Sequence, residues 1–209
     1  MTDFFTADTH LNHPAVARMR GFGTPAEHDD HVLGNLEGAL SPGDRLFILG
    51  DLSKGSGDPE DRALERLEEL RKSTGAELHL IAGNHDSASP HRSKWFQAAE
   101  AMSPTFASVS GSGTLKIAGT RAMLSHYPYD GDHSAVDRHT QLRLRDEGAP
   151  VIHGHTHACA VLSRSAKGTP QVCVSLDAWD LRPAPQGGAG EVPLSALAAG
   201  HTKAPPQTV

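Results

Sequence analysis

Five times in this chain a short apolar run stops abruptly at a cluster of Asp, Asn or His. Asp3 to Ala7 runs into Asp8-Thr9-His10-Leu11-Asn12-His13, and Leu46-Phe47-Ile48-Leu49 into Gly50-Asp51. Leu78 to Ala82 is followed by Gly83-Asn84-His85-Asp86, Arg121 to Leu124 by Ser125-His126, and Pro150 to His153 by Gly154-His155-Thr156-His157. Short apolar runs bounded by such punctuation read as strands, and the one at Leu46 as a strand buried on both faces. In layered α/β proteins, loops beyond the carboxyl ends of strands converge in space even when they are far apart in sequence. The five clusters are therefore read together.

The segments between them read mostly as helices. Asn12 or His13 is placed to cap a helix entered at Pro14. Val32, Leu33, Leu36 and Leu40 recur at helical spacing, and Ser41-Pro42-Gly43-Asp44 stops that helix. Asp58-Pro59-Glu60-Asp61 opens another, with Leu64, Leu67 and Leu70 as its inner stripe and Gly75 as its stop. Further helices are predicted over Pro90 to Ala99 and Asp132 to Glu147. Strands are predicted near Thr105 to Val109 and Gly113 to Ile117, with a hairpin of Ala158 to Leu162 and Gln171 to Ser175 around Gly168-Thr169-Pro170. An order of β-α-β-α-β followed by a β-rich half implies an α/β sandwich with a mixed sheet, not a purely parallel doubly wound one. Residues 1–182 form the domain. Beyond Arg182 Pro and Gly become frequent, so 183–209 reads as a C-terminal extension, with a short helix expected at Pro193 to Ala199.

Composition narrows the partners. A length of 209 residues suits one domain, and a formal charge of −6 disfavours tight binding to duplex nucleic acid. No apolar run nears the roughly 18 residues of a membrane span, and the first residues lack a signal peptide's basic start and apolar centre. A cytoplasmic protein without a membrane partner is expected. Cys159 and Cys173 form no CxxC pair and read as two small buried hydrophobes, although a bridge between neighbouring strands is geometrically conceivable.

Any single cluster reads as a polar loop, and most histidines are surface or hydrogen-bonded groups. Jointly, the clusters place two Asp, one Asn and four His at strand ends, in the order Asp8/His10, Asp51, Asn84, His126, His155/His157. Carboxylate, amide oxygen and imidazole without thiolate make a ligand set for Mn²⁺, Fe, Zn²⁺ or Co²⁺.

In these motifs the sequence resembles the calcineurin-like metallophosphoesterases, particularly the small bacterial and phage-borne members. Asp8-Thr9-His10, Gly50-Asp51, Gly83-Asn84-His85-Asp86, Ser125-His126 and Gly154-His155-Thr156-His157 occur in the family's order, and Ser175-Leu176-Asp177-Ala178-Trp179-Asp180 also looks familial. The resemblance implies a two-sheet mixed β sandwich flanked by helices, the four-layer fold of that family. It implies two divalent metal ions, Mn²⁺ favoured, with Fe, Zn²⁺, Co²⁺ or Ni²⁺ as alternatives. Asp8, His10 and His157 would hold the first, Asn84, His126 and His155 the second, and Asp51 would bridge them. His85 would be the catalytic group, donating a proton to the leaving oxygen while a metal-bridging hydroxide attacks phosphorus. Asp86 is the nearest candidate partner for His85 in sequence. Where the family's protein phosphatases carry an Asp three residues after the bridging Asp, this chain has Lys54, which disfavours a protein phosphatase.

His13, Lys54 and Tyr127 are the candidate substrate contacts, with helix cap, exposed lysine and packing aromatic as their alternatives. His153 is expected behind the ligands. His28, His31, His79, His91, His133, His139 and His201 have no chemical context in sequence. Tyr129 and Trp179 join Tyr127 as aromatics able to stack on a base. No segment suits the large capping domain of a double-strand nuclease, and no basic stripe suits a processive one. The expected activity is hydrolysis of small phosphodiesters such as 2′,3′-cyclic nucleotides. A phosphomonoesterase and a short single-strand nuclease are the alternatives, and a non-enzymatic metal-dependent interaction module is the third. The expected partner is a small phosphate ester rather than long duplex nucleic acid, in the host cytoplasm if the chain is phage-encoded; the oligomeric state stays open.

Overall fold

The computed structural model describes residues 1–117 and 119–186. The elements of the first half are β1 (Asp3–Thr6), α1 (Pro14–Met19), α2 (Pro25–Ala39), β2 (Arg45–Ile48), α3 (Asp58–Thr74), β3 (Glu77–Ile81), α4 (Trp95–Ala101) and β4 (Ser108–Ser110). The second half contributes β5 (Gly113–Ile117), β6 (Thr120–Leu124), β7 (Val151–His153), β8 (Leu162–Arg164), β9 (Pro170–Cys173) and β10 (Ala184–Pro185). They form two five-stranded sheets, ordered β10-β1-β2-β3-β4 and β5-β6-β7-β9-β8. Both sheets are mixed: β1 to β4 run parallel with β10 antiparallel at the edge, while β6, β7 and β9 run parallel between antiparallel partners.

The apolar runs follow from where their alternate side chains go. Leu46 and Ile48 of β2 and Leu78 and Leu80 of β3 face Val32, Leu36, Leu67 and Leu70 of α2 and α3. Phe47, the neighbouring Leu49 and Ile81 point the other way, into a second core shared with Ile117, Leu124, Ile152 and Val172 of the opposite sheet. A strand with a core on each face has no polar alternation, because period-two side chains find apolar partners both ways.

Helix ends obey local chemistry. Thr24 and Glu27 form a reciprocal capping box on α2, and Gly75 closes α3 in the left-handed conformation at φ 69°. Several boundaries differ from expectation. The predicted helix from Asp132 to Glu147 is absent apart from one 3-10 turn at Thr140–Leu142. Its polar side chains capture the backbone instead: Asp132 accepts from the amides of Ser134 and Arg138, and Arg143 donates to the carbonyls of Gly131 and Arg138. Such local bonds compete directly with helical ones, and Val136, which would have to face inward, is 71% exposed. The helix expected from Pro90 starts at Trp95, after consecutive turns closed by the amides of Arg92 and Trp95. The strand expected near Thr105 is Ser108–Ser110, and the hairpin strand expected at Ala158 begins at Leu162.

Cys173 is buried, but Cys159 is exposed, and both are free, so the expectation of two buried thiols fails for Cys159. Pairing of β10 with β1 carries the first sheet past Arg182. The helix expected at 193–199 lies outside the described residues. Among these, no helix is long and apolar enough to cross a membrane.

Candidate metal centre

The five clusters meet along one rim of the sandwich. Backbone bonds zip them together: the Asp8 amide donates to the Gly50 carbonyl, the His10 amide to that of Asp51, and the Gly154 amide to that of His126. The approach is so close that only glycine fits at key points. A Cβ on Gly50, itself at φ +87°, would lie 2.6 Å from the Gly83 Cα and from His126 Nδ1. One on Gly154 would lie 2.7 Å from Asp8 Oδ2. Five of the nine described non-glycine residues with positive φ are Asp8, His10, Asp51, His155 and His157. Backbone strain gathers where function must over-determine geometry.

Asp51 lies between two groups of side chains. On one side its Oδ2 is 3.8 Å from His10 Nε2, which is 3.2 Å from His157 Nε2; the latter is 4.0 Å from Asp8 Oδ1. On the other side Asp51 Oδ2 is 3.5 Å from His126 Nε2, which is 3.2 Å from Asn84 Oδ1. Burial opposes ionisation of Asp51, but the imidazoles of His126, His10 and His85 outweigh it and hold the carboxyl at about 2. Asp86 is not a partner of His85. It accepts the amides of Gly83, Asp51 and Leu52 and so knits two clusters together; burial and the neighbouring Asp51 carboxylate push it up to about 6, against those three donors.

Each expected imidazole ligand has one nitrogen committed to an oxygen. His10 Nδ1 faces the Ser53 carbonyl at 3.2 Å, and His126 Nδ1 the Leu49 carbonyl at 2.7 Å. His157 Nδ1 faces Asp177 at 2.8 Å, and His155 Nε2 faces Asp132 at 3.0 Å. A ring nitrogen that donates to oxygen leaves the other as a lone pair, the form that binds a metal ion. For His10 and His157 those free nitrogens lie 3.2 Å apart beside Asp51 and Asp8, an arrangement that suits a cation held between them. Burial, then the charge of His126, push His155 down to about 3, which keeps it in the neutral ligating form with Nδ1 free. The residues present thus fit a pair of hard or borderline divalent ions. Asp8-His10-His157 and Asp8-Asp51-His126 are also compact enough for each set to hold an ion.

Two carboxylates that orient these rings were not singled out as such in the sequence. Asp132, whose side chain is fully buried, is clamped by Arg138. Burial opposes its charge, but Arg138 and His155 hold it well below the usual carboxylate range. Asp177 binds Arg20, whose side chain is only 4% exposed and which also donates to the carbonyls of Asp8 and Thr9. Arg20 continues to His28 Nε2, and His28 Nδ1 to Asp29, so a buried chain of charge runs from α2 to the His157 ring. Asp177→Asn is expected to weaken metal binding about 10- to 100-fold with the fold retained, read by Mn²⁺ titration and circular dichroism. Unchanged affinity would show that Asp177 serves Arg20 alone.

The cleft over the cluster has a volume of about 510 Å³. One wall is Ala15, Val16 and Met19 of α1, and the other is His133 and Arg138. His85 stands at its floor: Nδ1 donates to the Lys54 carbonyl at 2.7 Å, and Nε2 lies 4.0 Å from Asp51 Oδ2. His13 lines the cleft and also caps α1 by accepting the Val16 amide at 3.4 Å. Lys54 supplies its carbonyl, while its side chain is exposed and does not line the cleft. Tyr127 is no cleft wall either, being 4% exposed and packed behind His126 and His155. Tyr129 is buried, and the Trp179 indole donates to the Cys173 carbonyl. His153 is buried with Nδ1 at the Gly154 carbonyl, and burial pushes it down to about 4. His133, without context in sequence, is a cleft residue, and His201 lies outside the described residues.

A sandwich of two mixed sheets with oxygen and imidazole donors gathered across its strand ends defines a metal-dependent hydrolase. The calcineurin-like phosphoesterase superfamily domain matches residues 1–174, and the chain belongs to that superfamily. It is therefore a metal-dependent phosphoesterase. Over 184 residues it is 35% identical to the Gene 66 protein of Mycobacterium phage L5, covering 84% of this chain and 86% of that protein. Over 191 residues it is 37% identical to the Gene 66 protein of Mycobacterium phage D29, covering 86% and 90%. A protein of unknown function from Aquifex aeolicus shares the fold with a TM-score of 0.63 and 22% identity, over 88% of this chain and 95% of that one.

Proposed function

We propose that the chain is a dinuclear phosphodiesterase acting on small phosphodiesters, 2′,3′-cyclic nucleotides among them. Asp8, His10 and His157 would hold one divalent ion, Asn84, His126 and His155 the other, and Asp51 both. Mn²⁺ is the favoured ion for such oxygen and imidazole donors. Two such ions supply a Lewis acid for the phosphoryl oxygens and an activated water. The protein's own part is positioning and proton transfer. With Nδ1–H committed to the Lys54 carbonyl, His85 in its imidazolium form would present Nε2–H to the leaving oxygen, give it that proton and remain as the neutral Nδ1–H ring. The α1 wall receives the alcohol group that the proton releases.

The lining of the cleft carries the diester reading. A monoester dianion brings a second negative charge, whereas a diester brings a second organic group. Beside His85 and His13 the cleft offers the apolar shelf of Ala15, Val16 and Met19, and its one guanidinium, Arg138, is already paired with Asp132. With Mn²⁺, a bis-aryl phosphate and 2′,3′-cyclic nucleotides are expected to show at least about tenfold higher kcat/KM than an aryl monoester, or about 1.4 kcal/mol. A preference for the monoester overturns the reading. A small phosphate ester is the proposed partner, and the mycobacteriophage relatives support a place in the host cytoplasm.

A further inference from the structure

Sequence offered Tyr127, Tyr129 and Trp179 as aromatics able to stack on a base or, more ordinarily, to pack beside the site; Tyr127 and Tyr129 are buried, and the half-buried Trp179 spends its indole N–H on the Cys173 carbonyl. The exposed aromatic pair lies elsewhere. Trp95 and Phe96 at the start of α4 are 46% and 55% exposed, with ring centroids 6.1 Å apart and planes at 85°. No residue of α4 is fully buried. Immediately before them, His91, Arg92 and Lys94 line a depression of about 420 Å³ together with Ser56 and Ser87. Between Ser87 and Ala101 the only carboxylate is Glu100, so this stretch is locally basic in a chain of charge −6.

This surface is joined to the metal cleft. Arg92 donates to the carbonyls of Asn84 and Asp86, bracketing His85, and Ser87 follows the same loop. On the other flank the His91 ring lies 6.2 Å from that of His139, which lies 5.8 Å from that of His155. A polymer whose diester sits over the cluster therefore reaches the surface within a short length. Guanidinium and ammonium groups match backbone phosphates, and exposed aromatic faces match unstacked bases. A duplex keeps its bases stacked and offers none to Trp95 or Phe96.

We propose that His91, Arg92, Lys94, Trp95 and Phe96 form a subsite for the nucleotides flanking the scissile diester of a short single-stranded oligonucleotide. The inference rests on the phosphodiesterase reading and extends its substrates from small diesters to single strands.

Trp95 and Trp179 are the two tryptophans, Trp95 exposed and Trp179 half-buried, so the subsite's signal is the part of the quenching that Trp95→Ala removes. A tetrathymidylate with phosphorothioate links, which resists hydrolysis, is expected to quench tryptophan emission in the Mn²⁺-loaded protein. Trp95→Ala should remove that signal and weaken binding of the labelled tetramer about 5- to 100-fold by anisotropy. Lys94→Glu should weaken it too and reduce its salt dependence. On an ordinary tetranucleotide both variants should raise KM, while kcat/KM on the bis-aryl phosphate, too small to reach the subsite, stays within about twofold. The proposal is overturned by absent quenching, by equal losses on both substrates, or by equal binding of a duplex. Trp95 emission that follows protein concentration instead of oligonucleotide also overturns it, assigning the face to a second copy. Because the phosphorothioate probe needs no turnover, failure here is distinct from failure of the diesterase reading, which shows as no hydrolysis of any diester.

Discussion

Asp51→Asn is expected to lower kcat on the best diester at least about a thousand-fold, equivalent to about 4 kcal/mol of lost transition-state stabilisation. The size follows from position. Asp51 Oδ2 lies close to both His10 Nε2 and His126 Nε2, at 3.8 and 3.5 Å. Its other oxygen, Oδ1, accepts the His85 amide at 2.9 Å, so the side chain also sets where the proton donor stands. Asparagine keeps the shape but removes the charge shared by two cations. The bound metal should fall from two ions per chain towards one, measured by elemental analysis after gel filtration. A variant that keeps both ions and full turnover would remove Asp51 from the bridge.

His85→Ala should separate chemistry from metal binding. Loss of kcat is expected at about 10²- to 10⁴-fold, with both ions retained. Retention is expected because His85 reaches Asp51 Oδ1 through its backbone amide, which alanine preserves, while its ring lies 4.0 Å from Oδ2. The loss should also depend on the substrate. Nitrophenolate leaves without a proton, whereas a ribose oxygen does not, so the defect should be larger on cyclic nucleotides than on the aryl diester. Equal losses on both substrates, or loss of the metals, would take the leaving-group role away from His85.

The parts of the site legible in sequence were those with local signatures. Asp8, His10, Asp51, Asn84, His126, His155 and His157 all stand where an apolar run ends, and a strand end is visible from hydropathy alone. The continuous run Leu46 to Leu49 likewise announced a strand with a core on each side. Arg20 and Asp177 stayed hidden as a pair because 157 positions separate them and neither lies in a periodic pattern. Asp132 was misread as a helix start. Its segment does carry helix-forming residues, but their side chains satisfy the backbone locally and Asp132 is turned towards His155. The aromatics stayed undecided between stacking and packing for a related reason: hydropathy does not separate Tyr127 from Trp95, and only packing makes one 4% and the other 46% exposed.

By itself the sequence determined the inventory and the order: an α/β sandwich with a mixed sheet, its candidate ligand types, and the strand ends that carry them; the division into two sheets came only with the family resemblance. Those properties are encoded within a few residues, in the alternation of side chains and in the polar residues that stop it. Tertiary structure decided which ring nitrogen stays free to bind a metal, which carbonyl or carboxylate orients each ring, and which residues wall the cleft. Hydrogen-bond direction and burial depend on atoms brought together across the whole chain, and those contacts exist only once both cores have closed.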